Sequence, residues 1–477
     1  MNYLDDFEIV IGLEIHAELS TKTKIFCSCK NEFGAEPNTN TCPVCVGFPG
    51  ALPILNKRAI ELGIKTGLVF GSKILDYIVF ERKNYFYPDL SKAYQISQLK
   101  FPLNIGGEVE LDNGKKIKFN RIHIEEDAGK LTHLGKNQGT LIDFNRSGVP
   151  LIEMVTEPDF SSAEEVFEFL KKVREVLVFE GIAKCKMEQG GLRCDVNLSL
   201  RKKGEKELGI RTEMKNLNSF KSVQRAIEYE ANRQAMLLSA GEKIFYETRK
   251  WDDTLNKSLS MRTKETAKDY RFFPDPDILP VKISKTDIEK IKSEMVETPI
   301  NRRKKYIQEY NLPEYDAKIL TSSKYISNYF EKCVNLLNLP KKISNWIMVD
   351  LFKIVKEQET EEIIFPITEE DLTEIIKMVE DKLINKNVAL MLLNKVIETK
   401  EKPIKLAKQM NLMITISDEK IIELLINLKN ENKKVVNDYK NDPEKISKFI
   451  IGYVMKNTQG KANSLKVQEL ISKIFCD

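Results

Sequence analysis

Histidine is scarce in this chain. His16, His123 and His133 are its only three imidazoles, and two of them stand in alternating stretches crowded with acids. In "FEIVIGLEIHAEL", a period of two puts Ile9, Ile11, Leu13, Ile15 and Ala17 on one face and Glu14, His16 and Glu18 on the other. "RIHIEEDAGK", residues 121–130, alternates Arg121, His123, Glu125 and Asp127 with Ile122, Ile124 and Glu126, and it loads three consecutive acids onto what reads as the edge of a strand. "LRCDVNLSLR" sets Arg193, Asp195, Asn197 and Ser199 opposite Cys194, Val196 and Leu198; "GIRTEMKNLNSF" presents Arg211, Glu213 and Lys215; "PLIEMVTEP" adds Glu153. On any one strand, a solvated polar face explains the alternation. Acids mixed with His and Arg at most of these positions, taken over five strands together, point instead to a functional sheet face. Clustered carboxylates need neutralising, and Mg²⁺ with its hard oxygen ligands does so, especially beside phosphate. Arginines and lysines on that face would hold phosphate oxygens.

"ERKNYFYPDLSKAYQISQ", residues 81–98, places Arg82, Lys83 and Lys92 among Tyr85, Phe86, Tyr87 and Tyr94. Cations interleaved with rings suit a nucleotide or the end of an RNA, although tyrosine-rich loops also simply pack. No G-x-x-x-x-G-K-[ST] occurs, so any use of ATP is not of the P-loop kind. "CSCKNEFGAEPNTNTCPVC" carries Cys27, Cys29, Cys42 and Cys45, half of the eight cysteines, as a C-x-C and a C-x₂-C across a turn-rich loop. Four thiolates close a tetrahedral shell, the logic of a structural zinc site; four reduced thiols or an iron–sulfur cluster are the alternatives. Cys185, Cys194, Cys333 and Cys476 read as ordinary buried or terminal thiols.

The elements that position these residues change character along the chain. Before about residue 290, short alternating stretches are punctuated by Gly and Pro, the texture of a sheet-rich domain. Beyond it, 3.6-period runs such as "SKYISNYFEKCVNLL" and "DEKIIELLINLKN" mark amphipathic helices. The expected organisation is an α+β domain over 1–292, an all-α domain over 293–405 and a small helical tail over 406–477. "DFSSAEEVFEFLKKVREVLVFEG" reads as a scaffold helix with a capping box from Ser161 to Glu164, a buried series Val166, Leu170, Val173, Leu177, and a terminal Gly181. Gly63, Gly67 and Gly71 stand four apart, as close backbone packing requires. At 477 residues and 42% hydrophobic, the chain has ample material for several cores, and its net charge of +4 excludes a polycation. No apolar run approaches a membrane span, and the acidic start lacks a secretion signal, so a cytoplasmic address is expected. From residue 401 onward, 14 lysines face 10 acids, an excess equal to that of the whole chain.

"GLEIHAEL", "FGAEPNTNTCPVCVGFPGALPILN", "RKNYFYPDLSKAYQISQ", "HIEEDAGK", "DFNRSGVPLIEMVTEPD", "LRCDVNLSLR", "EMKNLNSFKSVQRAIEYE" and "DYRFFPDPDILP" resemble, in wording and order, the GatB family, the B subunits of tRNA-dependent amidotransferases. "MKNTQGKANSLKVQEL" resembles that family's YqeY-like tail, with Ser464 where the family usually has proline. The resemblance implies a cradle-like catalytic domain that uses ATP to phosphorylate the side-chain carboxylate of Glu-tRNA(Gln), Asp-tRNA(Asn) or both, with ammonia then displacing the phosphate. It implies Mg²⁺ at Glu14, His16 and Glu125, an acidic surround of Glu153, Asp195 and Glu213, and a nucleotide and acceptor-end pocket lined by Arg82, Lys83, Tyr85, Lys92 and Lys215. The tail would contact the tRNA body. The four cysteines are not universal in the family, which argues for structural rather than catalytic Zn²⁺.

The chain shows neither a Ser-Ser-Lys amidase stretch nor a Cys/His glutaminase pair, so ammonia must come from elsewhere. The family supplies an amidase-type A subunit and a small C subunit, a heterotrimer acting on misacylated tRNA with no membrane involved. Two rivals remain open: a non-catalytic tRNA-binding assembly protein, and a free-standing ATP-dependent carboxylate–amine ligase needing no RNA.

Overall fold

The computed structural model describes residues 3–475 except 136–138, 264–268, 357–362, 414–417, 433–434, 436–438, 440–441, 459–461 and 463. Cys476 and part of the quoted 455–470 stretch therefore lie outside the described residues. The chain divides into two compact units, Met1–Ile300 and Asn301–Asp477.

The first unit is built on a ten-stranded sheet. Its long members are β1 (Phe7–Glu18), β2 (Lys116–Glu126), β3 (Pro150–Thr156), β4 (Leu192–Lys202), β5 (Thr212–Lys215), β6 (Glu247–Asp252) and β7 (Lys257–Thr263). They run in the order β7-β6-β5-β4-β1-β3-β2, followed by the short strands Asn104–Ile105 and Lys73–Ile74, with Glu108–Glu110 also on β2. Only the β5–β6 pair is parallel among those described. One face is greasy as the alternation requires: Ile11, Leu13, Ile15 and Ala17 of β1 are at most 1% exposed and join one hydrophobic cluster with residues of the covering helices.

Those helices are α1 (Lys57–Val69), α2 (Ala163–Phe179) and α3 (Phe220–Ser239). α1 packs on β2, α3 packs on β4, and α2 lies against α3. Val166, Leu170, Val173 and Leu177 of α2 are all buried, each worth about 1.5–3 kcal/mol. The capping box is displaced by one residue from the Ser161–Glu164 pair. Extended Ser162 is the N-cap, its hydroxyl accepting from the Glu165 N–H at 3.2 Å, while the Glu165 carboxylate reaches back to the Ser161 N–H at 2.8 Å. Gly63 and Gly67 do serve close packing: a Cβ there would stand 2.5 Å from Leu103 and 2.2 Å from the Asn104 side chain. Gly71 differs, since it has open space around it and a φ of +69°, a turn beyond the helix.

The acidic stretch is buried although its ladder is one-sided. β3 pairs with it through Pro150 and Leu151, whereas Asn104–Ile105 and Glu108–Glu110 on the other side of β2 reach only Arg121–Ile122 and Lys116–Lys118. There the Gln98 side chain accepts from the Ile124 N–H and the Gln95 side chain donates to the Glu126 carbonyl, and Glu125, Glu126 and Asp127 are 3%, 2% and 6% exposed. Burial changes their meaning, because a buried carboxylate must be paired or neutralised.

In the second unit, helices from Glu314–Leu320 to Pro403–Gln409 surround a cluster running from Tyr306 to Leu412. The helices Asp418–Glu431, Pro443–Asn457 and Ser464–Phe475 enclose another, from Ile421 to Phe475. The divisions expected at 292 and 405 both fall inside helices, Lys285–Glu294 and Pro403–Gln409. Leu406 and Ala407 pack into the earlier cluster, so the break in packing comes after Leu412. Composition shifts gradually, whereas a helix moves as one piece. No described helix is long and apolar enough to cross a membrane.

Candidate active site

Strand register assembles the polar face. On β1, His16 lies opposite Glu153 of β3 and Arg193 of β4, and Glu153 lies opposite His123 of β2. Paired residues project to the same side of a sheet, so Arg193, His16, Glu153 and His123 form one row across four strands. Glu14 faces Asp195, and Asn197 faces Glu213, which extends the polar surface one and two steps along.

Two clusters result. In the first, His16 Nε2 is 3.3 Å from Glu125 Oε1 and 3.5 Å from Glu153 Oε2, while His123 Nε2 is 3.1 Å from the same Glu153 oxygen. Ser97 donates its hydroxyl to Glu125 Oε2 at 3.2 Å. In the second, Lys215 bridges Asp195 and Glu213, the latter at 3.0 Å. Thr248 donates to the other Glu213 oxygen at 2.9 Å, and Asn197 donates to Glu14 at 3.0 Å. The expected metal set of Glu14, His16 and Glu125 is thereby divided: His16, Glu125 and Glu153 form one possible ligand group, and Glu14, Asp195 and Glu213 another.

Electrostatics follow from this crowding. Burial opposes charge on His16, but Glu153 and Glu125 outweigh it and push the imidazole up to about 10. Burial likewise acts against the Glu153 carboxylate, yet His123 and His16 hold it well below the usual range. Lys215 is raised by Asp195 and Glu213 against the effect of burial. Glu14 moves the other way: burial first, then the charges of Glu153 and Asp195, raise it. Negative charge at Glu14 is thus incompletely offset by the chain itself, which is the condition a divalent cation would relieve, and the oxygen-rich donors suit Mg²⁺.

Most of the cations expected around a nucleotide are already engaged. Arg82 holds Asp275 at 2.7 Å and Asp277 at 2.9 Å and stacks 4.1 Å above the Tyr94 ring. Lys92 grips both oxygens of Glu126 at 2.7 and 2.6 Å, so Glu126, turned to the opposite side from Glu125, has its own partner. Lys215 belongs to the second cluster. Lys83 instead lies over the rings of Tyr270 and Tyr85, at 5.2 and 5.9 Å. Burial and then Glu125 raise the Tyr85 phenol, which places that hydroxyl in the field of the first cluster.

Several partners at this face escaped assignment from sequence. His123 and Asn197 were visible by alternation, but nothing local distinguished them from spacers. Ser97 and Thr248 arrive from distant strands and leave no local signal. Asp127, beyond the end of β2, is clamped by Arg146 at 2.5 Å and Arg193 at 2.9 Å. Burial raises its carboxyl, but the two guanidiniums more than compensate and lower it overall.

The cysteine loop forms a separate centre. Cys27, Cys29, Cys42 and Cys45 place their sulfurs within 4.8 Å of one another, and each is free of a disulfide. The Cys42 N–H donates to Cys45 Sγ at 3.2 Å. A hydrogen bond from Cys27, outweighing burial, pulls the Cys45 thiol down to about 4, while Cys29 is pushed up to about 11 chiefly by burial. Four converging sulfurs fit a tetrahedral thiolate-bound metal. Cys185, Cys194 and Cys333 are buried elsewhere.

Comparison with known proteins identifies the family. The GatB/GatE catalytic domain family matches residues 9–289, and the GatB domain family matches residues 328–475. The B subunit of the aspartyl/glutamyl-tRNA(Asn/Gln) amidotransferase of Caldicellulosiruptor saccharolyticus is 49% identical over 472 residues, 98% of each chain. The corresponding proteins from Caldicellulosiruptor bescii and Thermodesulfovibrio yellowstonii are 50% and 46% identical, again over 98% of this chain and 98% and 99% of their own. With the catalytic-domain match covering the whole acidic face and the relatives aligned nearly end to end, the chain belongs to the GatB family.

Proposed function

We propose that this chain is the B subunit of an aspartyl/glutamyl-tRNA(Asn/Gln) amidotransferase, and that its acidic sheet face carries the ATP-dependent step. The substrate is the side-chain carboxylate of Glu-tRNA(Gln), Asp-tRNA(Asn) or both; ATP phosphorylates it, and ammonia displaces the phosphate to give the amide. A carboxylate is a poor electrophile until one oxygen becomes a leaving group, and phosphoryl transfer is mostly positioning plus charge neutralisation. The observation that carries the assignment is the row Arg193–His16–Glu153–His123 across four strands, with buried Glu125 and half-buried Glu14 beside it.

Mg²⁺, when bound, would supply the positive charge that lets phosphates and a substrate carboxylate approach this face. Glu125, Glu153 and His16 are the residues to hold it, with Glu14, Asp195 and Glu213 as the acidic surround. Ser97 and His123 fix the carboxylates from behind, and Lys215 and Thr248 fix Glu213. Lys83 and Tyr85 are the best placed of the expected pocket residues to meet a nucleotide or the tRNA end, whereas Arg82 and Lys92 act by holding the surrounding loops. Zn²⁺ in the four-cysteine loop is structural. An amidase-type A subunit supplies ammonia, and a small C subunit completes the complex.

The test is to co-express the chain with A and C partners and follow ATP cleavage and amidation on each misacylated tRNA. Cleavage stimulated by misacylated tRNA and abolished by Glu125→Gln is the expected result. A complex whose ATP cleavage ignores that substitution would refute the site, and one with no ATP cleavage would favour a tRNA-binding assembly role.

A further inference from the structure

Lys24 has no solvent exposure. Its ammonium reaches Cys45 Sγ at 3.5 Å and the Phe144 carbonyl at 3.1 Å, and no ion pair with a carboxylate is found for it among the described residues. A buried charge is costly unless an opposite charge meets it, and a neutral thiol is only a weak acceptor. The partner that makes this burial tolerable is a thiolate. A divalent metal in a shell of four thiolates carries a formal excess of two negative charges, so the same site needs positive charge from the protein.

We propose that Lys24 is the counter-cation of the four-cysteine site, holding Cys45 as a metal-bound thiolate for a divalent ion of the zinc class and tying that sulfur to the segment beginning at Phe144. The inference rests on reading the cysteines as a metal site and adds the residue that balances its charge.

The tie has a consequence for the acidic face. Segment 143–148 is stitched to the cysteine loop by Asn38 N–H to Asp143 at 3.0 Å, Phe144 N–H to Asn38 at 2.8 Å, Asn40 N–H to Asn145 at 2.8 Å and the Ser147 hydroxyl to the Cys45 carbonyl at 2.9 Å. The same segment delivers Arg146 to Asp127. Lys24 therefore joins the metal loop to the clamp that closes the acidic strand.

The experiment uses the full chain in complex with its partners. Zinc content is measured first, then zinc release to excess chelator with a metallochromic indicator, for wild type, Lys24→Met and Lys24→Gln. Both variants should release zinc about tenfold or more faster, the usual scale for losing a partner that supports a metal ligand. Lys24→Gln keeps a donor without the charge, so release at the wild-type rate from this variant would overturn the charge argument, as would wild-type retention by Lys24→Met. Should Lys24→Met fail to fold, Lys24→Met/Cys45→Ser is compared with Cys45→Ser alone, which leaves the ammonium buried without its anion. The double variant should be the more stable, and equal or lower stability overturns the proposal. A wild-type chain that holds no zinc or iron and takes up no Co²⁺ anaerobically sinks the metal reading and this one with it; a loaded wild type matched by both variants sinks the role of Lys24 alone.

Discussion

Glu153 stands between two imidazoles, 3.1 Å from His123 Nε2 and 3.5 Å from His16 Nε2, and each role at this face depends on such sharing. Glu125→Gln preserves shape and removes one charge. In the assembled complex, phosphoryl transfer should fall by about 100-fold or more, as expected when charge stabilisation is lost, while glutaminase activity without tRNA or ATP persists. His16→Ala should act similarly if the imidazole binds metal, and less severely if it only orients a carboxylate. His123 is a positioning residue. Its Nδ1 is buried with no hydrogen-bond partner among the described residues, while its Nε2 faces Glu153 Oε2 at 3.1 Å. His123→Leu should raise the Mg²⁺ concentration needed for half-maximal ATP cleavage about tenfold, and His123→Gln, which keeps a donor at that end, should recover most of it; equal defects would assign His123 to packing alone. Asp127 supplies a pH test. Its folded carboxyl lies below the ordinary 3.8, so its stabilisation is present above that value and is lost as pH falls through the lower folded value. Asp127→Asn should cost about 3 kcal/mol at pH 7, and urea midpoints of variant and wild type should converge as pH falls through and below 3.8.

At the scale of elements, α2 shows how a scaffold helix serves a site it does not touch. It lies against α3, which packs on β4, the strand bearing Arg193, Asp195 and Asn197. Leu170 is 1% exposed, and Leu170→Ala should cost about 2–5 kcal/mol by cavity formation. Ser162→Ala should cost about 1 kcal/mol through loss of the cap, and Ser161→Ala less; the reverse order in thermal unfolding would restore the sequence-based cap. The hydrophobic periodicity of α2 was legible because a helix repeats its own face locally. The cap was misplaced by one because two serines and two glutamates offered equivalent registers, which only the backbone angles at Ser162 separate.

For the whole molecule, the proposed role of the lysine-rich end is to meet the tRNA body. Its excess charge is carried by lysine, whose flexible point charge suits phosphate neutralisation rather than base reading. Because Leu406, Ala407 and Leu412 pack with the preceding cluster, truncation should remove residues 414–477 rather than begin at 406. That truncation should raise the KM for misacylated tRNA several-fold and flatten its salt dependence, with smaller change in ammonia-dependent turnover at saturating tRNA. Unchanged affinity and salt slope would make the tail structural.

The sequence by itself determined the faces. Side-chain direction in a strand is set by each residue's own backbone, so alternation placed Glu14, His16, Glu125, Asp195 and Glu213 on polar faces before any strand was paired, and the four cysteines declared their loop by spacing alone. Which acids meet was decided only by tertiary structure. Strand order and register are agreements between segments far apart in the chain, and they put His16 beside Glu153 and Glu14 beside Asp195, dividing a trio that had looked like one. Burial was equally non-local: segments distant in the chain covered the acidic stretch, and Asp275 and Asp277, nearly 200 residues from Arg82, claimed a cation that sequence had left for phosphate.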